Sequence, residues 1–180
     1  MKILLGITGS VAATVSDKLI DALIDKGHDV KYVATEKAAY FFKRPIESAY
    51  SNPPAYCSEL SEWLWWRKIG DPIQHIELAN WMDLMLIAPL TANTMAKMAN
   101  GICDNLLTSV WLAHGKKPVY VAPAMNSNMW DHPATQANLE KIKSYGVKVI
   151  PPVEKKLACG VTGIGAMANI QDIVKEIESI

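Results

Sequence analysis

The chain has 180 residues, the length of one domain spanning 1–180, and half of them are hydrophobic, which excludes a disordered chain. Lys plus Arg and Asp plus Glu number 18 each, so the net charge is zero and the basic excess that a nucleic-acid partner calls for is missing. No apolar run approaches the roughly 18 residues of a membrane span, and MKILLGITGS is too short in its apolar part for a signal peptide.

In chain order, Lys2–Ile7 reads as a short buried strand. Val15, Leu19, Ala22 and Leu23 then share one helical face, closed by Gly27. Asp29–Ala34 is a second strand, followed by a short helical stretch at Lys37–Phe42. From Lys43 to Pro72 the pattern is irregular, interrupted by Pro45, Pro53, Pro54 and Pro72. Leu84–Ala88 is a third strand, and a helix opens over Pro89 to Asn100. A helix over Leu106–Ala113, a strand over Pro118–Ala122, a helix over His132–Tyr145 closed by Gly146, and a strand over Val147–Ile150 follow. Ile170, Ile173, Val174 and Ile177 form one face of a terminal helix that Asn169 is placed to cap.

Strand–helix alternation predicts an α/β fold with a parallel sheet covered on both faces, because parallel strands need long crossovers. Ligands of such sheets sit beyond the carboxyl ends of the strands. The strings there are TGSVA, ATEK, PLTANT and PAMN, which offer backbone N–H groups, hydroxyls and amides beside helix starts, where an anion is favoured. No GxGxxG is present, so one phosphate is the natural guest rather than a pyrophosphate, and a mononucleotide such as FMN fits.

Each feature also has a plainer reading. Thr91, Asn93 and Thr94 serve equally to cap a helix, and His75 between Ile73 and Ile76 reads alone as structural. Cys57, Cys103 and Cys159 form neither a disulfide framework nor a zinc pattern, so reduced thiols, no metal and a cytoplasmic setting are expected. Cys103 reads as a packed small residue. Cys159 differs: it lies in LACGVTGIGAM, between two irregular stretches, on a glycine-rich flap able to move onto a ligand. Trp63, Trp65 and Trp66 read as apolar surface covered in an oligomer or under a flap.

Four strings in this order resemble the flavin-dependent cysteine decarboxylase family. GITGSVAA is similar to its N-terminal flavin loop, and DPIQHIELANWMDLMLIAPLTANTMAKMANGICDNLLT to its histidine segment and second flavin loop. APAMNSNMW matches the P-x-M-N-x-x-M-W signature, and LACGVTGIGAMA resembles the cysteine-bearing substrate flap. Within the family the likeness is to the monofunctional phosphopantothenoylcysteine decarboxylases of the eukaryotic type. The resemblance implies a flavodoxin-like (Rossmann-like) three-layer sandwich and a homotrimer with FMN near each subunit boundary. It places Gly9, Ser10 and Val11 at the flavin phosphate end, Thr35 and Lys37 beside the flavin, and Thr91, Ala92, Asn93 and Thr94 on the ribityl chain and phosphate, with Ala124 on the ring. Met125, Asn126, Ala158, Cys159, Gly160, Ala166 and Met167 surround the substrate, and His75, Asn126 and Cys159 fall on the three catalytic positions.

The implied reaction oxidises a substrate CH2–SH to a thioaldehyde, loses CO2 and re-reduces the enethiol, giving phosphopantetheine for coenzyme A biosynthesis. The presence of Cys159, the expected proton donor, favours this redox-neutral outcome over one that stops at the enethiol. Two positions depart from the family pattern: Asn80 stands where an arginine is usual and Val161 where an acid is usual. A peptidyl-cysteine decarboxylase acting on a C-terminal cysteine and a non-catalytic regulatory flavoprotein are the other readings.

Overall fold

Alternate residues of β1 (Lys2–Ile7) leave the strand on opposite faces, and both faces are apolar: Ile3, Leu5 and Ile7 join one cluster of buried side chains and Leu4 the other. A strand buried on both sides belongs in a parallel sheet with helices above and below. β2 (Asp29–Ala34), β4 (Leu84–Leu90) and β5 (Val119–Pro123) are buried in the same way. With the two-residue β3 (Tyr56–Cys57) and β6 (Lys148–Val149) they form a six-stranded sheet in the order β3-β2-β1-β4-β5-β6, every pairing parallel. Without the short edge strand β3, this is the flavodoxin-like order, with its topological switch point between β1 and β4. The computed structural model describes residues 1–43, 56–57 and 66–180. Trp63, Trp65 and the prolines Pro45, Pro53 and Pro54 lie outside the described residues, and Trp66 is exposed.

One face of the sheet is covered by α1 (Ser16–Asp25), through Leu19, Ile20 and Leu23, and by α7 (Ile170–Glu178), through Ile173, Val174 and Ile177. The other carries α2 (Gln74–Trp81), α3 (Ala92–Asn100), α4 (Leu106–Ala113) and α6 (Pro133–Ser144), whose Leu78, Met95, Met98, Leu107, Val110 and Ile142 pack on Met85, Ile87 and Val121. Each such fully buried Leu or Ile contributes about 2 kcal/mol of transfer free energy. These are the three layers expected from the alternation.

Several boundaries differ from expectation. β4 runs on through Pro89 to Leu90, so Pro89 belongs to the strand; a register shift against β5 between Ile87 and Leu90 accommodates a residue that has no N–H to donate. The helix at 132–145 begins at Pro133, with His132 as its cap, and is preceded by a separate short helix, α5 (Ser127–Asp131). Asn169 occupies the cap position of α7 but makes no side-chain capping bond; its amide is engaged by Lys155 and Asp172 instead. Cys103 is exposed rather than packed, in the linker between α3 and α4. The stretches flanking Cys159 are not irregular: β7 (Val153–Lys156) and β8 (Thr162–Ala166) pair as an antiparallel hairpin.

A single buried side chain joins the two strands at the switch point. Thr8, just past β1, donates its hydroxyl hydrogen to Pro89 O at 2.7 Å and accepts from Thr91 N at 3.0 Å. Both partners lie at the far end of β4, so this hydroxyl fixes where the chain leaves for α3.

Candidate active site

The loops that leave β1, β2, β4 and β5 at their carboxyl ends enclose a cavity of about 610 Å³. Gly9, Ser10, Thr35, Lys37, Thr91, Ala92, Asn93, Thr94 and Ala124 all line it. Val11 does not; it lines the neighbouring cavity. Three helix starts converge here, each built by a capping side chain. Ser10 Oγ accepts from Ala12 N at 3.3 Å, Thr91 Oγ1 from Thr94 N at 3.3 Å, and Asn105 Oδ1 from Thr108 N at 2.9 Å. The positive ends of the helices that Thr91 and Asn105 cap make the cavity favourable for an anion, and Lys37 and Lys97 line it together with Glu36 and Asp104. Lys97 is paired with Asp104 at 2.7 Å, while Lys37 has a long contact of 3.6 Å to its neighbour Glu36 and lies 5.7 Å from the centre of the Tyr40 ring. The plain capping role of Thr91 is therefore real, and it coexists with a place in the cavity wall.

Gly9 is required by close approach. A Cβ there would sit 2.5 Å from Lys37 Cβ and 3.1 Å from Lys37 C, so any side chain would push the β2–Lys37 segment out of the wall.

A second cavity, of about 790 Å³, shares Ser10, Ala124 and Met125 with the first and is roofed by the β7–β8 hairpin. Met125, Asn126, Ala158, Cys159, Ala166 and Met167 line it. Gly160, at the turn of the hairpin with φ +86°, does not. Asn126 is the N-cap of α5, with Oδ1 accepting from Asn128 N at 2.9 Å. That bond fixes which way the carboxamide faces and directs Nδ2 to donate to Cys159 Sγ at 3.3 Å. Position in the signature string and orientation thus have one cause. The hairpin docks through its glycines. A Cβ on Gly163 would overlap Ser127 Oγ, one on Gly165 would overlap Met125 O, and Met125 N donates to Gly165 O at 2.8 Å.

The structure does not bring His75 to this pair within one chain. It is half-buried in the first turn of α2 and lines neither cavity. Asn80, exposed near the end of α2, and Val161, 59% exposed on the hairpin, also line neither. Residues that the sequence reading missed include Asp104, Asn105 and Met129 in the first cavity and Lys18, Leu157 and Gln171 in the second. Asn105 alone carried a signal, as a polar residue just before an apolar helix.

Two chambers thus abut at the switch point, one suited to a phosphate-bearing ligand and one carrying a thiol beside an oriented amide. The profile of the Flavoprotein family matches residues 1–180. Phosphopantothenoylcysteine decarboxylase of Mus musculus is 44% identical over 181 residues, covering 99% of this chain and 86% of that protein. A solved PPC decarboxylase, a cysteine-to-serine mutant complexed with pantothenoylaminoethenethiol, superposes with a TM-score of 0.91 at 39% identity, covering 99% of this chain and 96% of that one. The FMN binding protein AtHal3 does so with a TM-score of 0.87 at 40% identity, covering 99% and 95%.

Proposed function

The chain belongs to the flavoprotein family, and on that premise we propose that it decarboxylates phosphopantothenoylcysteine to phosphopantetheine, with FMN as cofactor, in coenzyme A biosynthesis. The observation that carries this reading is the shared wall of the two cavities, which sets the Asn126–Cys159 pair beside a chamber whose helix starts suit a phosphate. The first cavity's volume lies in the range of about 300–1,000 Å³ that small-molecule sites occupy. Thr91, Ala92, Asn93 and Thr94 would hold the phosphate end, Thr35 and Lys37 would flank the flavin, and Ala124 would lie at its ring. FMN bound there supplies the two-electron acceptor and donor.

The protein's own groups then do the positioning and the proton work. A carboxylate beside a saturated carbon does not leave readily, because the resulting carbanion has no sink. Once the neighbouring CH2–SH stands at the thioaldehyde level, loss of CO2 spreads the charge onto sulfur. Asn126 Nδ2 orients the substrate carboxylate and amide before that loss. His75 takes the thiol proton at the start, as the general base. Cys159 gives a proton to the enethiol carbon at the end, so that the net change is loss of CO2 alone.

His75 reaches the Asn126–Cys159 pair across an oligomer contact, in a homotrimer whose sites lie at subunit boundaries. In support, Trp66, Ile69, Ile73 and Ile76, before and around His75, are large apolar residues left 40–95% exposed in the single chain. The setting is cytoplasmic, in keeping with the free thiols of Cys103 and Cys159. Among the described residues no helix is long and apolar enough to cross a membrane.

Gly9→Ala is expected to fold but to bind flavin about 5- to 150-fold more weakly and so to retain less of it after gel filtration, because displacing Lys37 costs about 1–3 kcal/mol of packing that flavin binding must restore. Absorbance of the released flavin measures this, and full occupancy would contradict the placement. The reaction itself is tested by following CO2 release from phosphopantothenoylcysteine and, separately, from short peptides ending in cysteine. Release from the first and not the second is expected; the reverse would assign the peptidyl reading.

A further inference from the structure

The second cavity is lined by more than the Asn126–Cys159 pair, and its lining combines cations with apolar side chains. α1 contributes Lys18 and Ala22 to the wall, and the start of α7 contributes Ile170 and Gln171. Lys18, Lys155 and Lys156 line the cavity, and no Asp or Glu is among the described lining residues, although bases and acids balance over the whole chain. Lys155 is held in place: its Nζ donates to Asn169 Oδ1 at 2.6 Å, and Asn169 Nδ2 donates to Asp172 Oδ2 at 2.9 Å. Asn169 is thereby committed to positioning a cation instead of capping α7, which leaves that helix start without a side-chain acceptor. Asp172 is the one carboxylate in this chain of contacts, and it faces the amide. Much of the remaining wall is apolar, with Val15, Ala22, Leu157 and Ile170.

An extended substrate that carries a thiol, a neutral chain and an anion matches this combination of surfaces. Resting on the reaction proposed above, we propose that Lys155, together with Lys18, reads the anionic end of the substrate as a phosphate monoester and sets the enzyme's preference for phosphorylated over free pantothenoylcysteine. This locates the anion on the hairpin and α1, and gives no part to Asn80, the position where the family pattern has arginine.

The test uses the flavin-loaded protein and two readouts. Calorimetric titration with phosphopantetheine and with pantetheine is expected to show the phosphorylated compound binding at least about tenfold more tightly, and Lys155→Gln is expected to shrink that ratio about tenfold while Lys155→Arg keeps most of it. Steady-state kinetics on the two pantothenoylcysteines should show the same narrowing in Lys155→Gln, carried by KM. A wild-type ratio near one, or a Lys155→Gln variant that keeps the wild-type ratio, overturns the assignment. Wild-type protein that releases CO2 from neither compound instead overturns the reaction on which it rests; release from both with equal KM overturns only the role of the lysines.

Discussion

Cys159→Ser is expected to release CO2 once per bound flavin and then stop, with an enethiol left in place of the saturated product. The side chain sits at the tip of the β7–β8 hairpin, on the cavity wall, with its sulfur 3.3 Å from Asn126 Nδ2. Nothing in that position touches the first half of the reaction, which needs an electron acceptor, a base and an oriented carboxylate. The second half needs an acid at the enethiol carbon, and a serine hydroxyl is a far weaker acid than a thiol. Loss of a positioned general acid costs about 10²–10⁴-fold, so steady-state turnover should fall by that factor while the first burst of CO2 survives. Rapid-quench mass spectrometry with simultaneous flavin absorbance reads both halves. Normal multiple turnover in Cys159→Ser would remove the thiol from the mechanism.

His75→Asn is expected to do the opposite: no burst, and flavin that stays oxidised on anaerobic mixing with substrate. Asparagine keeps polarity and approximate size at a half-buried position in the first turn of α2, so the fold and the flavin content should persist. It cannot take up the thiol proton, and the expected loss is again about 10²–10⁴-fold, now in flavin reduction. His75 lines neither cavity of its own chain, and on the proposed shared site its effect depends on a second copy. Diluting the wild-type protein until the oligomer dissociates, followed by light scattering, should therefore lower flavin reduction in step with the loss of oligomer. A monomer that reduces flavin at the full rate would contradict the shared site.

The sheet was legible in the sequence where burial was two-sided. β1 and β2 have the expected ends because each is a mostly apolar run between turn residues, and α4 because Asn105 supplies its cap and the helix is apolar but for Thr108 and Ser109. α2 was invisible because it starts after Ile73, which caps nothing, and so announces no beginning. The hairpin was invisible for a different reason. Its strands read VEKK and TGIGA, without apolar alternation, so its pairing is carried by the backbone and by glycines whose missing side chains admit Ser127 and Met125. The same contrast holds in the site. Loop residues that follow buried strands come together because the strands fix them. His75 stands on a helix whose exposed apolar neighbours Ile73 and Ile76 line neither cavity of the chain, so no buried strand fixes it beside the other site residues. The bond from Asn126 to Cys159 spans 33 positions and depends on the capping geometry of α5, which pattern alone does not supply.

On the proposed mechanism the Asn126 amide and Cys159 thiol of one subunit act with His75 of a second in a decarboxylation that returns the flavin to its starting state. This is read by mass spectrometry of phosphopantothenoylcysteine after many turnovers on the flavin-loaded protein. A product lighter by about 44 mass units, one CO2, is expected, with the flavin oxidised at the end. A product lighter by about 46, with stoichiometric reduced flavin, or an unchanged substrate, would contradict it.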